Sequence, residues 1–253
     1  MKTIFSSAYN DKQEAVKQLL DTFQTSGSMI GKGNRNVVKV FDLNGVNVNV
    51  KAFKVPHLLN KIVYRFFRES KAKRSFDFAE KLLSMGVLTP QPVACFEEKS
   101  AFLFLRSFYI SEQLDYDLTY RELILNPDYK EHEAILRAFT KFTFDLHEKG
   151  IFFKDHSPGN TLINIVEDGF RFYLVDLNRM EFKPLDFDAR MRNFERLTPK
   201  KEMVAIMANE YAKIASENET RIFNDMWKYT EAFQYRFYRK KKLKNKWLFW
   251  RKK

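Results

Sequence analysis

The sequence is short of cysteine, glycine and proline, and each shortage excludes a class of protein. Its 253 residues include one cysteine, eight glycines and seven prolines. Cys95 alone can form neither an internal disulfide framework nor a cysteine-based zinc site. The four histidines are scattered and lack the spacing of a zinc-binding helix. Because 45% of the residues are hydrophobic and 30% are charged, we expect a folded chain with a full core.

Long hydrophobic runs are also missing. No apolar stretch approaches the roughly 18 residues that a membrane-spanning helix requires. The first residues, Met1 to Ser6, lack the continuous apolar region of a secretory signal. These absences predict a cytoplasmic protein.

Acidic residues are almost absent from the C-terminal end. The net charge is +12, and residues 228–253 contain eleven basic residues against one acid, Glu231. This tail therefore carries +10 and leaves about +2 for residues 1–227. A nucleic-acid-binding face would need a basic stripe on the body of the protein, so we expect no nucleic-acid partner there.

The first part of the chain has the pattern of strands with one charged helix. Val37–Phe41 and Val46–Phe53 flank Asn44-Gly45, a strong two-residue hairpin signal. Residues 59–85 are charged with helical spacing and end at Gly86. Strands are also predicted over residues 93–97 and 101–107.

Helical periodicity dominates after residue 107. Residues 131–149 and 200–238 predict long helices, with two short strands between them. This order predicts an α+β fold of two lobes. The expected divisions are a β-rich N-lobe (1–107), a helical C-lobe (108–227) and a basic aromatic tail (228–253).

Three polar residues form the most informative spaced set. Asp155 and Asn160 have D-x-x-x-x-N spacing, and Asp176 follows the next predicted hairpin. Transfer of a phosphoryl group to a hydroxyl needs one carboxylate beside the hydroxyl and oxygen ligands for Mg²⁺. We expect Asp155 to act as the base, and Asn160 and Asp176 to bind the metal. Each residue taken singly is more typical of a surface turn or a strand end.

The first lobe offers matching groups for a nucleotide. Lys51 lies late on a predicted strand, where a lysine that binds nucleotide phosphates would sit, and Lys54 is an alternative. Backbone N–H groups around Gly31 and Gly33 could cover the phosphates, although two glycines also fit an ordinary hairpin turn. No G-x-x-x-x-G-K-[ST] segment is present, which excludes a P-loop enzyme.

The succession of these motifs resembles the protein-kinase-like fold, and within it the lipopolysaccharide core sugar kinases, the Kdo/heptose kinase family. The resemblance extends over about residues 30–182. It rests on five segments: Asn36–Phe41, Lys51–Pro56, Ser70–Phe76, Gly86–Ala94 and Asp155–Asn160. It implies that Asp77 is the acid that pairs with Lys51, with Glu69 and Glu80 as alternatives.

Some positions depart from the protein-kinase pattern. Phe153 stands where a histidine of the catalytic loop is usual, and Asn178 replaces the glycine of D-F-G. No A-P-E segment follows Asp176, which disfavours a regulated protein kinase.

The resemblance implies an ATP- and Mg²⁺-dependent kinase whose acceptor is a sugar hydroxyl on Kdo or heptose of the lipid A–core. Two alternatives stay open. The first is a kinase of the same fold that acts on another small molecule or a protein. The second is a non-catalytic pseudokinase or membrane-binding module.

The tail composition agrees with a lipid-linked acceptor. Aromatic residues such as Phe233 and Trp250 alternate with lysine and arginine over residues 228–253. That mixture suits the surface of an anionic membrane, so we expect peripheral association with the inner face of the bacterial cytoplasmic membrane. RNA binding and a solvated end without a role are the alternatives.

Overall fold

A computed structural model describes residues 2–31 and 36–247 of the chain. Gly33 lies outside these ranges, as does the last part of the basic tail, so the expectations placed on them have no structural counterpart here. The chain forms two compact units. The first unit runs to Asp115 and also takes in Tyr173–Arg179, and the second holds Tyr116–Phe172 and the chain from Met180 onwards.

Strands dominate the first unit and helices the second. The strands are β1 (Lys2–Phe5), β2 (Ser28–Ile30), β3 (Asn36–Leu43), β4 (Val46–Phe53), β5 (Pro92–Lys99), β6 (Phe104–Glu112), β7 (Leu118–Thr119), β8 (Ile151–Phe153), β9 (Thr161–Val166), β10 (Gly169–Leu174) and β11 (Met180–Phe182). The α-helices are α1 (Gln13–Asp21), α2 (Leu58–Phe66), α3 (Lys71–Ser84), α4 (Tyr120–Leu125), α5 (His132–Glu148), α6 (Phe187–Arg192), α7 (Lys201–Ala215) and α8 (Glu219–Trp247). A 3-10 helix, Ser7–Lys12, precedes α1.

An antiparallel sheet forms the centre of the first unit. Within the described residues its six strands have the order β1-β5-β6-β4-β3-β2. The predicted β3–β4 hairpin is confirmed: Asn44 and Gly45 both have positive φ, at 54° and 85°, as a two-residue primed turn requires. The boundary between the units falls after Asp115 rather than at residue 107, because β6 continues to Glu112.

The two faces of this sheet pack against different helices. On one face Val48, Val50 and Ile110 are buried in one cluster with Val16 and Leu19 of α1. On the other face the register places Lys51 beside Tyr109, and Tyr109 beside Cys95. Cys95 and Tyr109 pack with Ala72 and Phe76 of α3. Lys51 therefore lies on the face that α3 covers.

The predicted helix over residues 59–85 is two helices, not one. After α2 the chain leaves helical geometry, and Ser70 begins α3 by accepting a hydrogen bond from the backbone N–H of Lys73 at 3.0 Å. This is the usual action of an N-cap serine. Gly86 follows α3 with φ 71°, as predicted for a C-terminal glycine.

The second unit packs helices around a large aromatic core. The predicted apolar stripe of α5 is buried: Ile135, Leu136 and Phe139 are fully buried and contact residues of α7 and α8 in one cluster. Gly150 ends this helix region with φ 68°, and a Cβ there would lie 2.9 Å from the carbonyl oxygen of Lys183. Only glycine fits both the backbone conformation and the close approach.

The region predicted as helical over residues 200–238 contains α7 and α8. Ser216, at φ 53°, adopts a left-handed conformation that ends α7. The later helix then runs without a break to Trp247, so residues 228–247 continue α8 and are not a separate tail. Within the described ranges, no helix combines the length and the hydropathy of a membrane span.

Candidate active site

The first unit brings together two of the predicted site residues. Lys51 Nζ donates to Oδ1 of Asp176 at 2.7 Å, and the Lys51 side chain is largely buried. The segment that carries Asp176 is fixed by the loop before β5: Leu174 N–H donates to the carbonyl of Leu88 at 3.0 Å. The hydroxyl of Thr89 donates to the carbonyl of Leu174 at 2.7 Å. A lysine and an aspartate 125 positions apart are therefore held as one ion pair.

Asp176 has an unusual backbone and a second donor. Its φ is 58°, in the left-handed region that aspartate and asparagine adopt most easily among residues with a side chain. The Asn178 side-chain amide donates to Oδ1 of Asp176 at 2.7 Å. Neither this contact nor the one from Lys51 uses Oδ2. Asn178, which departs from the D-F-G pattern, thus supports the carboxylate.

The predicted pairing of Asp77 with Lys51 is wrong. Asp77 pairs with Lys73, one helical turn earlier on α3, and Lys73 also contacts Glu69 at 3.1 Å. Residues four apart on a helix face one another, so both carboxylates are engaged locally. Lys51 pairs with Asp176 instead. Of the three candidate acids, Glu80 has a buried oxygen, Oε1, without a hydrogen-bond partner in the described part of the chain.

The second unit holds the other two predicted residues together. The D-x-x-x-x-N loop lies between β8 and β9, and the Asn160 amide donates to the backbone carbonyl of Asp155 at 2.8 Å. Arg196 Nη1 donates to Oδ1 of the Asp155 side chain at 3.1 Å. The loop thereby fixes its own two ends, and an arginine orients the aspartate.

Arg196 is a residue that the sequence analysis missed. Its guanidinium also lies over the ring of Phe233 in α8, 5.4 Å from the ring centre. The neighbouring Glu195 pairs with Arg236 of the same helix at 3.0 Å. No local pattern could have found Arg196, because it reaches Asp155 across 41 positions of sequence.

Two buried histidines pack the base of this loop. Burial lowers the pKa of His156 to about 3, and its ring stacks on Phe139 at 5.2 Å. Burial also lowers the pKa of His147 to about 4, and its ring nitrogens contact Tyr211 at 3.0 Å and Asn193 at 3.1 Å. Both imidazoles are neutral at neutral pH, which suits packing and not proton transfer.

The remaining predicted groups have simpler surroundings. Gly31 has φ 74° with open space where a side chain would be, so its backbone conformation favours glycine. No group of three or more His, Cys, Asp or Glu side chains close enough to hold a metal occurs among the described residues. Mg²⁺ accepts carboxylate and amide oxygens, and a nucleotide-bound Mg²⁺ takes only one or two protein ligands, so Asp176 in the first unit and Asn160 in the second each carry a chemically suitable group.

The charges of two other arginines of the first unit act on Arg74. Burial, followed by the charges of Arg68 and Arg179, lowers the pKa of Arg74. The Nε atom of Arg74 is buried and has no hydrogen-bond partner within the described ranges. Arg74 and Arg179 come from α3 and from the segment after Asp176, so the fold gathers positive charge from two distant parts of the sequence.

Similarity to a solved structure covers nearly the whole chain. A structure of WaaP in complex with acyl carrier protein superposes with a TM-score of 0.60 at 16% identity, covering 92% of this chain and 99% of that one. The match confirms the predicted α+β, protein-kinase-like fold.

Sequence relatives give the family. Two proteins named 3-deoxy-D-manno-octulosonic acid kinase are similar. The one from Pasteurella multocida is 28% identical, over 60% of this chain and 65% of the relative. The one from Mannheimia succiniciproducens is 26% identical, over 68% and 72%. The chain thus spans about two thirds of the length of the relatives it matches. A family model covers residues 21–218, and the chain belongs to the lipopolysaccharide kinase (Kdo/WaaP) family.

Proposed function

We propose that this protein transfers the γ-phosphate of ATP to a sugar hydroxyl of the lipopolysaccharide lipid A–core. The observation that carries the proposal is the ion pair of Lys51 with Asp176. It joins a strand lysine to the aspartate of a D-x-N segment, the two residue types that serve the nucleotide phosphates and Mg²⁺ in kinases of this fold. The names of the two relatives favour Kdo over heptose as the acceptor.

Asp155 is the proposed base for the acceptor hydroxyl. Arg196 holds one carboxylate oxygen, and the Asn160 amide holds the backbone of the same residue. An aspartate fixed in this way can orient the hydroxyl and accept its proton as the new oxygen–phosphorus bond forms. The bond to the β-phosphate oxygen breaks in the same step, and ADP leaves.

Lys51, Asp176 and Asn160 are proposed to serve the nucleotide. Lys51 would neutralise phosphate charge, and Asp176 and Asn160 would supply oxygen ligands to Mg²⁺. The metal, when bound, offsets the negative charge of the transferred phosphate. Because Lys51 and Asn178 both use Oδ1 of Asp176, Oδ2 is the proposed metal-binding oxygen. Gly31 and Gly33 would place backbone N–H groups over the phosphates. Since Lys73 engages Asp77 and Glu69, Glu80 is the remaining candidate among the three acids for pairing with Lys51.

The arginines around Arg74 are proposed to recognise the acceptor. The sugar in the names of the relatives is an acid. A guanidinium can bind a carboxylate or phosphate through two parallel hydrogen bonds. Arg74 brings a buried N–H without a partner in the described residues, so an anionic group would satisfy it.

A transfer assay with matched variants tests the proposed base. The assay measures phosphate transfer from labelled ATP with Mg²⁺ to Kdo-bearing lipid A. In Asp155→Asn, kcat should fall at least about 100-fold, the lower range for loss of a general base, while ATP still binds. The control is Asp168→Asn, the same change at an exposed turn between β9 and β10, which should leave kcat unchanged. Full turnover by Asp155→Asn would overturn the role of Asp155.

The metal role has a separate test by thermal shift. ATP with Mg²⁺ should raise the melting temperature of the wild type, since a ligand at 100 times its Kd stabilises by about 2.7 kcal/mol. Asp176→Asn should lose the Mg²⁺-dependent part. Asparagine is chosen because it tolerates the positive φ at this position. If ATP with Mg²⁺ does not raise the melting temperature of the wild type, the non-catalytic alternative is favoured. If the transfer assay shows phosphate transfer only to acceptors other than Kdo-bearing lipid, the proposed acceptor is wrong but the kinase activity stands.

We further propose peripheral attachment to the inner face of the cytoplasmic membrane, where a lipid-linked acceptor would be presented. The support is the basic, aromatic end of α8: Tyr235, Phe237 and Tyr238 are all exposed among lysines and arginines. Each basic residue near an anionic surface contributes about 1 kcal/mol. Binding of the protein to anionic vesicles that weakens in a K240Q/K241Q/K242Q variant would support this role.

A further inference from the structure

The apolar side chains of α2 point away from the protein. Leu59 is 79% exposed, Leu58 63% and Phe66 54%, and Phe67, directly after the helix, is 82% exposed. None of the nine residues of α2, all of which the structure describes, is buried. Contiguous exposed apolar surface of this kind marks an interaction site.

The helical geometry gathers these side chains on one side. At 3.6 residues per turn, the five apolar positions of α2 lie within an arc of about 140°: Leu58, Leu59, Ile62, Val63 and Phe66. Tyr64 lies on the opposite side and packs its ring 5.7 Å from that of Phe104. The helix thus attaches through its less apolar side, the reverse of an ordinary surface helix.

A turn next to α2 carries a further exposed aromatic side chain. Arg65 Nε donates to the carbonyl of Ser100 at 3.0 Å, which holds the β5–β6 turn next to α2. That turn carries Phe102, which is 74% exposed. We call α2, Phe67 and Phe102 together the α2 surface.

The segment that carries α2 contains charge of one sign. Residues 54–68 contain Lys54, Lys61, Arg65 and Arg68 and no acidic residue. Lys61 and Arg65 occupy the part of the helix circumference next to the apolar arc. Large apolar side chains flanked by lysine and arginine are the pattern of a helix that lies in the interface of an anionic bilayer.

We propose that the α2 surface docks on an anionic lipid bilayer, with its apolar side chains inserted at the level of the headgroups and its basic residues against lipid phosphates. The proposal rests on the proposed function only for the lipid-linked acceptor, and it assigns membrane contact to a part of the chain other than α8. Charge complementarity with anionic lipid selects the bilayer as the occupant.

Vesicle co-sedimentation of the full chain tests the proposal without any transfer assay. Wild type should bind anionic vesicles that contain about 30% phosphatidylglycerol, and should bind pure phosphatidylcholine vesicles at least about 10-fold more weakly, because basic residues are attracted to an anionic surface. An L59S/F67S variant should bind the anionic vesicles at least about 10-fold more weakly than wild type, since two large apolar side chains can no longer insert into the bilayer. L125S is the matched control, a leucine 74% exposed in the other unit, and should bind like wild type.

Three further readouts decide between the proposals. The L59S/F67S variant should keep its melting temperature and its transfer to a deacylated, water-soluble acceptor, so a loss of vesicle binding is not a loss of folding or of catalysis. Vesicle binding by L59S/F67S equal to wild type would overturn the proposal. So would a wild type that binds no vesicles and instead forms a dimer, or a complex with an acidic protein, that L59S/F67S abolishes.

Discussion

Two neighbouring helices, α2 and α3, use the same kind of sequence in opposite ways. Both have apolar residues at helical spacing among lysines and arginines. The α3 helix buries Ala72, Phe76 and Leu82 against the sheet and neighbouring residues, whereas α2 buries none of its residues. Periodicity establishes that a helix has an apolar face, but what covers that face depends on the rest of the molecule.

The attachments of the two helices explain the difference. The first turn of α3 is capped by Ser70, and the helix packs along β5 and β6. The residue before α2, His57, makes no side-chain capping bond, and Tyr64 and Arg65 supply two of its contacts with the sheet region. The α2 helix therefore lies on the surface of the first unit, whereas α3 is part of its core.

Replacing a phenylalanine in each helix should give the largest difference in the free energy of unfolding between α2 and α3. Phe76→Ala in α3 should lower the free energy of unfolding by about 3–5 kcal/mol, because it leaves a cavity in a packed cluster. Phe66→Ala in α2 should change it by less than about 0.5 kcal/mol, because the side chain is exposed. Urea denaturation followed by circular dichroism measures both free energies of unfolding. Equal losses of stability in the two variants would contradict the assignment of α2 as a surface helix.

Removal of the cap should have a smaller effect on α3. Ser70→Ala removes the acceptor for the Lys73 N–H and should cost about 1 kcal/mol. Thermal or urea unfolding measures the change, with Ser84→Ala, an exposed serine at the end of the same helix, as the control. A cost for Ser70→Ala no larger than for Ser84→Ala would show that the cap contributes little.

An N-cap serine like the one that begins α3 should stabilise α2. His57 has the extended conformation of an N-cap residue, at φ −65° and ψ 160°. His57→Ser should therefore add a capping bond and raise the free energy of unfolding by about 0.5 kcal/mol, the lower end of the capping range. The same denaturation experiment detects it, and a loss of stability would mean that the imidazole has a structural role.

The smallest effect is expected for a charge placed on the α2 surface. Leu59→Lys should leave the free energy of unfolding within about 0.5 kcal/mol of wild type, since the side chain is already in water. A loss of 2 kcal/mol or more, well above that surface range, would show that Leu59 is buried in the folded protein in solution.

Local patterns predicted the local structure well. The Asn44-Gly45 turn, the alternation over β4 and the buried stripe of α5 each involve neighbours in sequence, and all are confirmed. The break between α2 and α3 was missed because charged residues with helical spacing continue across residues 67–70, and a single serine cap gave the only local signal. The end of α8 was predicted to be a separate tail because of its basic composition. Lysine and arginine are good helix formers, so the helix continues through these residues.

The candidate site divides in the same way. Asp155 and Asn160 were predicted from their spacing, and Lys51 and Asp176 from their order along the chain. The acid predicted to pair with Lys51 was wrong because Lys73, on the same helix as Asp77, competes for it. Arg196 was invisible to sequence reasoning, since its contact with Asp155 exists only once the chain has folded.

The contact of Arg196 with α8 has a genetic consequence. A stop codon at position 233 would leave every residue of the proposed catalytic set in place, yet would remove Phe233, on which the Arg196 guanidinium rests, and Arg236, which pairs with Glu195. The arginine that orients Asp155 would lose its support. Inactivating alleles can therefore arise near the 3′ end of the gene, more than 70 codons beyond the codon for the proposed base.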